Sequence, residues 1–321
     1  MASKAGAPAF GGVLLGGDMA EQDPNTHRNR SPEEIAAGLV ELLDVEELDV
    51  DLYRGRRLPG GRGRVFGGQV IGQALQAAQR SVEGKDAHSL HAYFMRPGDD
   101  ALPIIYRVVR DFDGRSFANR RVIAMQNGQP ILNLAASFQV AEDGLHHQDS
   151  MPADIPPPEE LKSESELREE AAGDMPAEAR AAFLRRSSPI DIRPLYPRSW
   201  FHPVKRDPVN YSWFRVVAPI GDDPALHRAV LAYASDMALM ATSMMPHGVN
   251  WMTPGMQSAS LDHALWIHER FRADEWLLYA TESSWAGHAR GMNHGRIFTQ
   301  DGRLVASVAQ EGLIRLRQPR A

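Results

Sequence analysis

The chain has 321 residues, enough for two domains at the usual ~150 residues each, and its 43% hydrophobic and 24% charged content is ordinary for a globular protein. A formal charge of −6 argues against a nucleic-acid partner, which needs a strongly basic face, and the absence of Cys excludes disulfides, thiolate metal sites and every cysteine nucleophile. There is no run of about 18 apolar residues to span a membrane. The apolar stretch over residues 5–15 is broken by Gly and Pro and makes a poor secretion signal, and the chain's last residues do not match the peroxisomal Ser-Lys-Leu address, so a cytoplasmic location is expected.

Residues 1–30, rich in Ala, Gly and Asn, read as a disordered tail. Ser31-Pro32-Glu33-Glu34 then supplies an N-cap, a Pro at the first helical position and a capping-box Glu, with Ile35, Leu39, Leu42 and Leu43 following at helical spacing. Residues 48–54 alternate like a short strand, and the Gly- and Arg-rich stretch 58–64 reads as a loop with some positive charge. A helix over 65–82 is apolar around most of its circumference, which predicts a helix wrapped by other structure. Strands are expected over 89–95, 104–111, 117–126 and 131–140, the last two joined by Asn127-Gly128, a strong hairpin signal. A helix followed by an antiparallel meander describes an α+β unit whose sheet curls round the helix.

Residues 142–186 are rich in Pro, Glu, Ala and Ser and read as a linker, so the first repeat is expected over 31–141 and the second over 187–317. The second opens with strands over 190–194 and 211–217, continues with a helix over 222–245, and closes with strands over 258–267, 276–284, 288–299 and 304–314. Ser89-Leu90 and Ser260-Leu261 are 171 residues apart, and the turns Asn127-Gly128 and Asp301-Gly302 are 174 apart, which is the spacing of an internal repeat. The second helix carries Asp236, whose neighbours at three and four residues, Ala232, Tyr233, Leu239 and Met240, include no cation. Gly67-Gly68-Gln69 falls roughly at the corresponding place in the first half, so the carboxylate is expected in one half only.

Five stretches, Val65-Phe-Gly-Gly-Gln-Val70, Tyr93-Phe-Met-Arg-Pro-Gly98, Tyr233-Ala-Ser-Asp236, Leu261-Asp-His263 and Ala309-Gln-Glu-Gly312, together resemble the acyl-CoA thioesterase II family over about residues 33–316. The resemblance implies an α+β double hotdog fold of two tandem repeats, each a central helix wrapped by an antiparallel sheet. It also implies hydrolysis of fatty acyl-CoA in lipid metabolism, without a cofactor or metal. Carried over by position, the site is Asp236, Ser260 and Gln310, which would hold one water for attack on the thioester. Sheets of this fold tend to pack on one another, so a homo-oligomer is expected by analogy.

Two alternatives stand beside this reading, a non-catalytic acyl-CoA or lipid binder and an enoyl-CoA hydratase in which His263 or His288 would reach the site. No Gly-x-Ser-x-Gly nucleophile elbow occurs. The pairs His88/His91 and His263/His268 have odd separations, which in a strand put side chains on opposite faces, so they do not suggest a metal site. His263 beside Asp262 reads first as a structural pair, and Met237, Met240, Met244 and Met245 read as core with a secondary role in lining an acyl chain.

Overall fold

A computed structural model describes residues 30–57, 63–173, 175–184 and 188–317. The expected tail, apart from Arg30, most of the Gly-rich loop and the last four residues lie outside the described residues. Helix α1 (Pro32–Leu43) starts as its sequence dictates, with the Ser31 and Glu34 side chains each accepting from the other's backbone N–H. Strands β1 (Val45–Asp49) and β2 (Leu52–Gly55) follow. They replace the single strand expected there, because Asp51 takes φ 57° and closes a hairpin.

Helix α2 (Gly67–Arg80) is followed by the meander β3 (Asp86–Phe94), β4 (Ile104–Asp113), β5 (Phe117–Gln126) and β6 (Gln129–Gln139). The β5–β6 turn has Asn127 and Gly128 at φ 49° and 71°, the left-handed pair that an Asn-Gly hairpin needs. The connecting segment carries α3 (Glu164–Ala171) and α4 (Ala177–Leu184). It lies on the second half of the sheet, where Met151, Ile155 and Leu161 pack against Trp213, Trp276, Leu278 and Phe298, and Trp213 Nε1 donates to Pro156 O at 2.8 Å.

The second half repeats the plan with β7 (Ile190–Pro194), β8 (Val209–Val216), α5 (Pro224–Ser235), the one-turn α6 (Ala241–Met244), β9 (Met256–Ser260), β10 (Asp262–Ile267), β11 (Leu277–Gly287), β12 (Arg290–Thr299) and β13 (Leu304–Leu316). Two expectations are corrected here. The helix expected over 222–245 ends at Ser235, leaving Asp236 as its C-cap, and turns lead from there to α6. The strand expected over 258–267 breaks at Leu261, whose N–H donates to Glu311 O and whose carbonyl accepts from Phe94.

The strands form one antiparallel sheet in the order β1-β2-β4-β5-β6-β3-β10-β13-β12-β11-β8-β7, with β9 paired to β13 off that path. The order reads the same from either end, each half contributing six strands to the path, and β3 and β10 meet at the centre with Leu90 opposite Leu265. This continuous sheet wraps the paired helices α2 and α5, giving the α+β double hotdog that the sequence implied. Among the described residues no helix is long and apolar enough to cross a membrane.

The two central helices run antiparallel, since Gly68 sits against Tyr233 O and Gly72 against Ala229 O. Close approach of the backbones is possible because these positions lack a Cβ. A Cβ at Gly72 would lie 3.0 Å from Ala229 O and 2.8 Å from Leu43 Cδ2, between two elements that cannot both retreat. We expect Gly72→Ala to lower stability by about 1–3 kcal/mol through overpacking. The check is the denaturation midpoint, and an unchanged midpoint would show that the helix pair is not so tightly seated.

Candidate functional site

The antiparallel helix pair brings the end of α5 to the beginning of α2, and Asp236 lies at that junction. Its carboxylate accepts a hydrogen bond from the backbone N–H of Gly68, in the first turn of α2, where helical N–H groups have no partner within the helix. A Cβ on Gly67 would come within 2.7 Å of Asp236 Oδ2, so the missing side chain at Gly67 admits the carboxylate, while that at Gly68 lets α2 approach Tyr233 O of α5. The repeat arithmetic placed Gly67-Gly68 as the counterpart of Asp236. In the structure they begin α2 whereas Asp236 ends α5, so they are its neighbours across the helix pair.

The sheet supplies the other two donors. Ser260, the last residue of β9, donates from Oγ to Asp236 Oδ1 at 3.2 Å, and Gln310 of β13 donates from Nε2 to the same oxygen at 2.6 Å. The structure thus brings Asp236, Ser260 and Gln310 together across 74 residues of chain. Burial pushes the Asp236 carboxyl up to about 6, while hydrogen bonds from Gln310, Ser260 and Gly68 act against that rise by favouring the charged form. Protein surrounds the carboxyl group, while Asp236 as a whole residue is half-buried. Gln310 itself is buried, and its Oε1 has no hydrogen-bond partner among the described residues.

Behind this trio sit groups that the sequence reading did not place. His263 is fully buried on β10, with Nδ1 3.2 Å from Gln310 Nε2 and Nε2 2.9 Å from Ser235 Oγ. Burial pushes it down to about 4, so it is neutral at ordinary pH. The expected Asp262–His263 pair does not form: Asp262 accepts from the Glu311 N–H at 2.6 Å, while the next side chain along the strand points to the opposite face. Tyr279 donates from its hydroxyl to Ser235 O at 3.0 Å, and burial followed by the Asp236 charge pushes its own pKa far up. The available signal for His263 was strand alternation, which put it on the inward row with Leu265. For Gly68 it was a glycine pair at a helix start, where Gly is otherwise unfavourable.

The remaining histidines have other neighbours. His88 Nε2 lies 2.8 Å from Ser137 Oγ and His268 Nε2 lies 2.9 Å from Ser307 Oγ, whereas His91 stacks edge-on against Trp266. His288 lies in the β11–β12 turn beside the Trp285 ring. Met240 packs against Gly312, the residue of β13 that pairs with Ser260. A groove of about 810 Å³ lies at the far end of the helix pair, lined by Gln79 and Arg80 of α2 and Ala225 and Leu226 of α5. Arg56 and Arg80 there are already paired with Glu41 and Asp44, and no side chain of the Asp236 cluster reaches it.

Residues 184–313 match the family described as acyl-CoA thioesterase, and residues 56–139 match the acyl-CoA thioesterase N-terminal domain. The chain is 42% identical over 299 residues to acyl-coenzyme A thioesterase 8 of Homo sapiens, covering 90% of this chain and 93% of that protein. It is 38% identical over 286 residues to acyl-CoA thioesterase 2 of Haemophilus influenzae, covering 89% and 99% of the two chains. Among solved structures, an acyl-CoA thioesterase II from Mycobacterium marinum superposes with a TM-score of 0.71 at 42% identity, over 87% of this chain and 99% of that one. A hot dog protein from Alicyclobacillus acidocaldarius, at 18% identity and a TM-score of 0.69, shares the fold.

Because Gln310 donates to the carboxylate, its removal has a predictable sign. Gln310→Leu takes away a hydrogen bond that favours the charged form, so the Asp236 pKa should rise above about 6. Carboxyl titration followed by infrared or carbon NMR difference against Asp236→Asn tests this, and a pKa that falls or stays put would contradict the assigned geometry.

Proposed function

Since the chain belongs to the acyl-CoA thioesterase family and is a thioester hydrolase, we propose that it cleaves fatty acyl-CoA by direct attack of a water held by Asp236, Ser260 and Gln310. The observation that carries this reading is the convergence of Ser260 Oγ and Gln310 Nε2 on one carboxylate oxygen of Asp236. A carboxylate has about four acceptor positions, so capacity remains for a water, and the Ser260 hydroxyl can also accept. As the water oxygen bonds to the thioester carbon, its proton passes to Asp236, and collapse of the tetrahedral intermediate breaks the C–S bond. The departing thiolate is the base of a thiol of pKa about 8.5, so it leaves without an acid and takes up the proton afterwards.

A carboxyl with a pKa of about 6 suits the role of base, being ionised at neutral pH yet more basic than a solvated carboxylate. Met240, beside Gly312, offers a compliant surface to an acyl chain. The fatty acyl-CoA substrate is carried from the names of the relatives, and a thioester of CoA also fits a mechanism that needs no acid. Hydration of an enoyl-CoA by His263 is disfavoured, because the ring is fully buried with both nitrogens engaged.

Thiol release from a panel of acyl-CoA chain lengths tests the proposal. Asp236→Asn should lower kcat by about 10²-fold or more with KM within about threefold, as expected for loss of a general base. Hydrolysis at the wild-type rate would sink the mechanism, and saturable binding without thiol release from the unaltered protein would favour the binder reading.

The pH profile gives a separate check. The ionised carboxylate is the active form, so kcat/KM should rise with pH through an acid limb centred near 6. His263 titrates near 4 and Tyr279 far above the ordinary tyrosine range, so neither facing group accounts for a limb there. A profile flat from pH 5 to about 8 would rule out Asp236 as the titrating base.

A further inference from the structure

We propose that His263 is a positioning residue that fixes which way the Gln310 amide faces, through a neutral imidazole whose Nδ1 lone pair accepts from Gln310. This rests on the reading of Gln310 as a member of the water-holding site. The protons along the chain of groups Ala232–Ser235–His263–Gln310–Asp236 can be counted. Ser235 Oγ lies 3.1 Å from Ala232 O and 2.9 Å from His263 Nε2, and a hydroxyl has one proton to give. The Ala232 carbonyl can only accept, so the Ser235 proton goes there, and His263 donates its Nε2–H to Ser235 Oγ. The other ring nitrogen, Nδ1, then carries a lone pair.

Gln310 Nε2 lies 3.2 Å from that lone pair and 2.6 Å from Asp236 Oδ1, and an amide NH₂ has two protons, one for each acceptor. Turned over, the amide would set Oε1 against an ionised carboxylate and against a ring nitrogen that cannot donate. Both neighbours therefore select the same orientation, and His263 adds to it a partner that does not depend on the charge of Asp236. The imidazole is fully buried in a packed sheet, so it holds its place. The consequence lies on the other side of the amide. Gln310 Oε1 is buried and has no partner among the described residues, which leaves it as an acceptor for the second proton of a water bound to Asp236. A water held at both hydrogens presents its oxygen lone pair to the thioester carbon in one orientation.

The same ring reaches two places, and two substitutions separate them. His263→Asn places an amide oxygen near the position of Nδ1 and keeps an acceptor for Gln310 while losing the reach to Ser235. His263→Gln reaches toward Ser235 and loses the acceptor for Gln310. If His263 acts through Gln310, His263→Gln should lower kcat by about 10- to 100-fold with KM within about threefold, whereas His263→Asn should keep kcat within about fivefold of wild type. In a Gln310→Ala background, His263→Gln should add less than about twofold. Midpoint temperatures of all variants confirm that folded proteins are compared. The proposal is overturned if His263→Gln retains more turnover than His263→Asn, as a strut for Ser235 alone would require, or if its effect is undiminished in Gln310→Ala. Full turnover by Gln310→Ala alone would instead remove the site reading on which the proposal rests.

Discussion

A carboxylate drawn out of water between two helix ends is the constraint around which the rest of this molecule is arranged. An ionised carboxylate without partners in such a place costs several kcal/mol. Three donors from three separate elements meet that cost: the Gly68 N–H at the start of α2, the Ser260 hydroxyl at the end of β9, and the Gln310 amide on β13. Each donor makes a demand on the fold. The N–H is available only because α2 and α5 run antiparallel, with Gly68 close against Tyr233 O, and because glycine at 67 admits the carboxylate. The hydroxyl and the amide are side by side because β9 leaves the main path of the sheet to pair with β13, setting Ser260 opposite Gly312.

The near-symmetry of the sheet makes the one-sidedness of the site instructive. Ala136 and Gln310 each lie eight residues after the glycine of their hairpin turn, Gly128 and Gly302. In the first half Ala136 is flanked by Leu90 of β3 and Arg120 of β5; in the second Gln310 is flanked by Asn293 of β12, with His263 of β10 on its other side. Both rows are buried and point toward the helices. Arg120 spends its donors on Ser81, the Phe112 and Asn119 carbonyls and Asp113, tying the end of α2 to the sheet. Asn293 does the matching job for α6 by accepting from the Ser243 N–H at 2.9 Å, while His263 and Gln310 turn the rest of their row toward Asp236. One half keeps the row as structure, and the other adds polar groups with unused hydrogen-bonding capacity.

How much of this was legible depends on the range over which each feature is determined. The helix start at Ser31, the Asn127-Gly128 turn and the strands over 117–126 and 190–194 follow from local chemistry, and the sequence shows them at their structural bounds. The end of α5 was not legible, because residues after Ser235 keep good helical propensity and the turn there is held by tertiary contacts, including Tyr279 on the Ser235 carbonyl. The break at Leu261 is likewise invisible locally: Leu261 is a good strand residue, and its backbone groups are claimed by Glu311 on one side and Phe94 on the other. Ser260 and Gln310 were named through the family resemblance, since nothing local marks a Ser in a strand or a Gln beside Glu311, whereas Asp236 stood out locally as a carboxylate with no cation within a helical turn and took only its role from the resemblance. His263 and Gly68 needed the geometry, as their importance lies in partners far along the chain.

The carboxylate's intermediate basicity follows from opposing effects that this arrangement balances. Desolvation alone would push Asp236 further up and favour its protonated form, and a protonated acid cannot take a proton from water. Three hydrogen bonds without desolvation would do the reverse, holding the group below its ordinary value of 3.8 and making it a weak base. The outcome near 6 requires both, so the site has to be enclosed enough to desolvate and furnished with enough donors to remain charged. That is why the donors come from rigid elements: a mobile loop could supply hydrogen bonds, but not while also excluding solvent from the same group. The packed helix pair and the central strands provide the enclosure and the donors together, around a residue that is itself half-buried.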